Sequence, residues 1–165
     1  MSKNQIAQIH ELLTSFDTAM LITFGHSNAA HARPMAIARV ESDCSLWFFT
    51  GRGSAKVHEI EDDRDVLIVC QDEHSRYLSL RGTAMLFTDR AKARELWKES
   101  YKTWFPQGVE DPNLLLIYIR PEEAEYWDNQ GFKGIHYAFE AVKAYATGTT
   151  PQIKEGEQHG KVRFS

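Results

Sequence analysis

The chain has 165 residues and a mass of 18.9 kDa, which fits one domain better than two. It is 42% apolar and 25% charged, an average soluble composition that excludes a disordered chain or a long coiled coil. A formal net charge of −4 and a pI of about 6.0 run against a duplex nucleic-acid binder, which needs a basic face.

Residues 1–16 predict an amphipathic helix, with Ile6, Ile9, Leu13 and Phe16 three to four residues apart. Residues 20–24 read as a buried strand and residues 25–28 as a turn. Residues 31–40 alternate and predict a second strand, in which Pro34 demands an edge or a bulge. A hairpin turn at residues 41–43 leads into an apolar third strand, residues 45–50. Gly51-Arg52-Gly53 breaks that strand, and Ser54 can cap a helix running to about Asp62. Residues 66–71 and 76–88 predict the fourth and fifth strands, with a bulge or bend at Gly82. Asp89 can cap a helix to about Thr103. Residues 114–120 predict the sixth strand, stopped by Pro121. A short helix is expected over residues 137–145, and the last fifteen residues read as loose. This divides the chain into a domain, residues 1–150, and a polar C-terminal tail, residues 151–165.

The longest clean apolar run, residues 114–119, is far below the roughly 18 residues of a membrane-spanning helix. No basic stretch followed by an apolar run opens the chain, so no signal peptide and no membrane partner are expected. Cys44 and Cys70 form no C-x-x-C pair, and the seven histidines show no zinc spacing. These features predict a cytoplasmic protein with two buried thiols and no metal. Six strands joined mostly by hairpins predict a mainly β (α+β) fold. The expected architecture is a six-stranded antiparallel barrel with peripheral helices, since barrel closure removes exposed edges.

The richest stretch is Phe48-Phe49-Thr50-Gly51-Arg52-Gly53-Ser54-Ala55-Lys56: strand, glycine turn, helix start. Free N–H groups at a helix N-terminus attract an anion, and glycines let a phosphate approach. Lys56 lies in the first turn while Glu59, Glu61, Asp62 and Asp63 lie late in the helix. That order opposes the helix dipole by about 0.3–1 kcal/mol per charge. A cation at the positive end makes sense if an anion sits there too. Neither a P-loop nor a dinucleotide fingerprint is matched. On the second strand Arg33 shares a face with His31, Met35, Ile37 and Arg39, and arginine can grip a phosphate bidentately. Arg33, Ser54 and Lys56 would form a clamp if the second and third strands are neighbours.

Arg33-Pro34-Met35, Leu46-Trp47-Phe48-Phe49-Thr50 and Gly53-Ser54-Ala55-Lys56 resemble the flavin site of the pyridoxamine 5'-phosphate oxidase-like split barrels, general stress protein branch. Leu78-Ser79-Leu80-Arg81-Gly82, residues 121–127 and residues 156–162 agree in order, so the resemblance spans about residues 5–163. It implies a split barrel, a homodimer, and FMN, with FAD as the alternative, between the subunits. It implies that Arg33, Ser54 and Lys56 hold the phosphate, and that Pro34, Met35, Phe49 and Thr50 line the ring and ribityl chain. Tyr77 falls where relatives place a polar residue facing the flavin, and Trp127 where an aromatic residue comes from the partner subunit. Ala55 stands where true oxidases carry arginine, and Gly131-Phe132-Lys133-Gly134-Ile135-His136 lacks their substrate motif. Pyridoxamine phosphate is therefore not the expected substrate. The implied function is an FMN-binding general stress protein with a binding or sensing role. The alternative is an NAD(P)H-linked flavin oxidoreductase, and behind it a haem- or deazaflavin-binding relative.

Outside that set, Trp97, Trp104 and Phe105 read as core or dimer packing. His26 and His31 flank the first hairpin, and His58 reads as a surface residue. No residue is singled out for acid–base or nucleophilic work.

Overall fold

A computed structural model describes residues 3–25, 29–128 and 159–164. The first helix, α1 (Lys3–Thr14), lays Ile9, Leu12 and Leu13 into the main core. Its stripe recurs every three to four residues, so burial of one face holds it. Gln8 accepts a hydrogen bond from the buried Tyr126 hydroxyl at 2.9 Å, tying the helix to the sheet.

Strand β1 (Thr18–Phe24) pairs antiparallel with β2 (Ala30–Ala36), in register from Thr18 opposite Ala36 to Phe24 opposite Ala30. Strand β2 has a ladder on one side only, so Pro34 can lack its N–H there, as expected. The expected single strand over residues 31–40 is in fact two. Ile37 donates its N–H to Asp17 O and Ala38 donates to Trp47 O, each at 2.9 Å. The chain thus changes ladder partner within two residues and continues as β3 (Arg39–Val40), which pairs with β4 (Leu46–Gly51).

The remaining elements are α2 (Ala55–Asp62), β5 (Asp65–Gln71), β6 (Arg76–Phe87), α3 (Arg90–Leu96), β7 (Leu114–Asp128) and β8 (His159–Arg163). The strand order is β2-β1-β5-β6-β7-β4-β3, all pairs antiparallel, with β8 on β7. The two ends of that order, β2 and β3, are consecutive in the chain. The sheet therefore curls into a half-barrel whose gap is bridged by residues 37–38. The described residues hold eight strands rather than the expected six.

Three local differences have physical causes. Pro121 does not stop β7, because it sits at a bulge. Arg81 faces Glu123 but Gly82 faces Pro121, so Glu122 is the extra residue. A Cβ on Gly82 would overlap the Arg120 carbonyl, which is why glycine stands there. The helix capped by Asp89, whose side chain accepts from Lys92 N at 3.0 Å, ends at Leu96 rather than Thr103. Trp97 is extended, and residues Glu99–Thr103 form a 3₁₀ turn. The break lets Trp97 and Tyr101 both meet Phe49, with ring centroids 5.9 and 4.6 Å away. Lastly, part of the tail expected to be loose is strand β8, anchored by buried Val162. The helix expected over residues 137–145 lies outside the described residues.

Strand β4 is buried on both faces. Leu46 and Phe48 enter the main core, while Phe49 enters a second cluster with Leu96, Tyr101 and Phe105. Its unbroken apolar run is what a strand covered on both sides needs. Among the described residues no helix is long and apolar enough to cross a membrane.

Candidate functional site

At the C-terminal end of β4 the chain leaves the sheet through Thr50 and Gly51, turns, and enters α2. Thr50 is buried, and its hydroxyl lies 3.2 Å from the Ser54 hydroxyl. Ser54 takes the N-cap position in extended backbone, but its side chain makes no capping hydrogen bond. Lys56 Nζ donates to Thr50 Oγ1 at 3.3 Å. Around Gly53 the space is open: beyond its two chain neighbours, no heavy atom lies within 4 Å of where a Cβ would stand.

Lys56 is half-buried, and no carboxylate lies within ion-pair distance of it among the described residues. Burial, then the Arg33 charge, hold its ammonium below the usual lysine range, with Glu59 acting the other way. A desolvated cation of this kind is stabilised by an incoming anion.

Lys56 lines a cavity of about 490 Å³, within the common range for small-molecule sites. Its lining comes from Thr18 with Pro34, Met35 and Ala36 of β2, from Phe49, Thr50 and Gly51 of β4, and from Ser100, Tyr101, Trp104 and Phe105. The structure thus brings the expected Pro34, Met35, Phe49, Thr50 and Lys56 to one cleft, with Ser54 hydrogen-bonded at its edge. The route differs from the expected one. The hairpin at residues 41–43 joins β3 to β4, while β2 pairs with β1 and meets β4 only because the sheet curls.

Arg33 is a neighbour of this cleft rather than part of its lining. Its Nη1 donates to Thr23 Oγ1 at 2.5 Å and its Nη2 to Glu59 Oε2 at 2.8 Å. Thr23 Oγ1 also donates to Glu59 Oε2 by a short hydrogen bond, and His31 Nδ1 lies 2.6 Å from Glu59 Oε1. Burial pushes the Glu59 carboxyl up, but the hydrogen bonds from Thr23, His31 and Arg33, with the Arg33 charge, outweigh it. The result is a pKa of about 2.

Ala55 is exposed in the first turn of α2. Tyr77 and Trp127 face each other across β6 and β7, both exposed and away from this cavity within the chain. Trp127 stacks on His159 at 5.1 Å, and His159 Nε2 lies 2.7 Å from Glu125. His58 is exposed beside Glu61, and His26 lies outside the described residues.

Two site residues escape sequence reasoning. Trp104, expected in core or dimer packing, is 76% exposed within the chain and lines the cleft, so the core half of that expectation fails. Its signal was available: Tyr101 and Phe105 at spacing four take the buried face, which leaves Trp104 at the rim. Glu59, read as one of several late acids, has no sequence signal that pairs it with Arg33. Burial raises the Cys44 thiol to about 11 and the Cys70 thiol to about 12, so neither is a thiolate at neutral pH.

An antiparallel half-barrel carrying this cleft, with a lysine at one end and aromatic side chains beside it, defines the split-barrel class of fold. The chain belongs to the pyridoxamine 5'-phosphate oxidase-like family, whose model matches residues 4–152. It is 28% identical over 78 residues to general stress protein 26 of Bacillus subtilis (strain 168), covering 45% of this chain and 55% of that protein. The chain spans about half the length of the curated relatives it matches. A solved structure from Jannaschia sp. CCS1 shares the fold with TM-score 0.73 at 24% identity, over 98% of this chain and 99% of that one. The general stress FMN/FAD binding protein from Xanthomonas citri is similar with TM-score 0.67 at 28% identity, over 79% and 92% of the two chains.

Proposed function

We propose that this protein binds a flavin, FMN, by its phosphate at the β4–α2 turn, and that it acts as a flavin-binding stress-response protein. The observation that carries the reading is Lys56: a half-buried ammonium on the cavity with no carboxylate within ion-pair distance among the described residues. The hydroxyls of Ser54 and Thr50 and the open space at Gly53 suit a phosphate beside it. Arg33, Ser54 and Lys56 hold the phosphate. Pro34, Met35, Phe49 and Thr50 line the ribityl chain and ring. Ala55 supplies no charged donor to the phosphate. The name of the Xanthomonas citri relative, an FMN/FAD binding protein, supports a flavin ligand.

Bound flavin supplies one- and two-electron redox chemistry. The protein's own part is to bind, orient and shield it. Among the described lining residues only Lys56 and Tyr101 are ionisable, and burial pushes the Tyr101 phenol further up.

The protein acts as a homodimer in this reading. Met20, Tyr77 and Trp127 are each more than a third exposed on the outer sheet face, an apolar surface that a second copy would cover. Tyr77 and Trp127 then reach the partner's flavin. Sedimentation with and without FMN tests the dimer.

The test of the ligand is fluorescence titration with FMN, FAD and riboflavin. Tight FMN binding with riboflavin at least tenfold weaker supports the phosphate reading. No binding of any flavin overturns it. Reduction of the bound flavin by NADH or NADPH with turnover would move the protein to the oxidoreductases.

A further inference from the structure

The group that the clamp leaves unexplained is Glu59. It sits one helical turn after Lys56 on α2, at spacing three, where side chains share a face. A carboxylate beside a phosphate site is unfavourable by simple charge, so its place there calls for a compensating role. Its side chain is 13% exposed, and both oxygens are engaged. Oε1 meets His31 Nδ1 at 2.6 Å, and Oε2 accepts from Arg33 Nη2 at 2.8 Å and from Thr23. Thr23 is fully buried and also accepts from Arg33 Nη1 at 2.5 Å. Two nitrogens of the guanidinium are thus held by β1 and α2, and with five N–H donors in all the group can still donate to an anion. Lys56 feels the charges of both Arg33 and Glu59, so the three groups form one electrostatic unit.

Without Glu59, the two cations beside the cleft would repel without compensation, and the arginine would lose its fixed orientation. With it, the fork is held rigid before any ligand arrives. Pre-ordering a flexible side chain removes an entropy cost from binding.

We propose that Glu59 is a positioning residue for the anion clamp: it fixes Arg33 beside Lys56 and so sets the preference for a phosphorylated flavin over riboflavin. This rests on the flavin-phosphate reading above. Thr23 and His31 complete the support from β1 and β2, and Glu59 itself does not touch the ligand.

The test uses the full chain and its Glu59→Gln variant, each titrated with FMN and with riboflavin. The expected result is at least tenfold weaker FMN binding, with riboflavin binding unchanged within about twofold. A damaged cleft would weaken both ligands alike, so the FMN-to-riboflavin ratio separates positioning from general structural harm. An unchanged ratio overturns the inference. So does tighter FMN binding, which would mean that Glu59 acts only as a repelling charge. If Glu59→Gln does not fold, Glu59→Asp, which keeps the charge but shortens the reach, is read by the same ratio. In a double-mutant cycle Arg33→Ala should cost much less FMN affinity in the Glu59→Gln background than in wild type, and strictly additive losses count against the coupling. A wild-type protein with no preference for FMN over riboflavin would instead sink the phosphate reading, and this inference with it.

Discussion

The two ends of the cleft are built on opposite principles. Apart from Arg33, which comes from β2, the cationic end is nearly contiguous: Thr50, Ser54 and Lys56 lie within seven residues, and strand, turn and helix start set their geometry locally. The aromatic wall is assembled at a distance. Tyr101 and Phe105 reach Phe49, and Trp104 reaches the cleft, because α3 breaks at Trp97 and a 3₁₀ turn follows. A polar end depends on directional bonds from a few side chains, whereas an apolar wall depends on packing that many backbone paths could supply. Changes at the first end should therefore alter ligand affinity, and changes at the second should divide between stability and affinity according to burial.

The largest expected effect lies in the wall's buried half. Phe49→Ala removes the ring shared by Trp97, Tyr101 and Phe105, and should cost about 3–5 kcal/mol of stability, read by chemical denaturation. A loss under about 1 kcal/mol would mean that the second cluster is not a true core. Next comes the cationic end. Arg33→Ala with Lys56→Ala should weaken FMN by at least about a hundredfold while riboflavin changes little, since charge-assisted hydrogen bonds contribute about 1.5–3 kcal/mol each. Unchanged FMN affinity in the folded double variant removes the clamp.

Trp104→Ala sharpens the contrast within the wall. At 76% exposure the ring adds little to folding, so stability should stay within about 0.5 kcal/mol. Binding of FMN and riboflavin should fall together by roughly three- to tenfold, the worth of one aromatic contact of about 0.5–1.5 kcal/mol. If the melting temperature drops sharply instead, Trp104 is a packing residue after all.

The smallest effect is the pH response of the buttress. Glu59 is held at about 2 against 4.5 in the unfolded chain, so between those values the unfolded chain binds more protons. Its stabilisation is fully present above about 4.5 and declines as pH falls toward 2. Melting temperatures compared at pH 3 and pH 6 should therefore fall further for wild type than for Glu59→Gln. Parallel pH profiles would show that the carboxylate is not held by its partners.

Legibility follows the range of the interactions. The Gly51–Gly53 turn and the Asp89 cap were readable because each depends on a few adjacent residues. So was Pro34 on an edge strand, since a missing N–H is a property of the residue itself. The bulge at Gly82 was also expected, but its consequence for Pro121 was not. That proline looks like a stop from its own strand, and it is tolerated only because the partner strand shifts register opposite it. His159 to Arg163 look like a polar tail, yet Gly160 and Val162 face inward while His159, Lys161 and Arg163 pair with acids of β7.

By itself, then, the sequence determined the family, the mainly antiparallel sheet and the strand–turn–helix segment that carries Lys56, because these rest on local pattern and motif order. Only the tertiary structure decided that the chain switches ladder between Ile37 and Ala38, that β2 and β4 share one cleft, that Trp104 stands at its rim, and that Glu59 grips Arg33. Each of these joins residues distant in the chain or turns on which side of an element stays uncovered. A hydrogen bond or an exposed ring of that kind is set by how the whole sheet curls, and no short window of sequence contains that curvature.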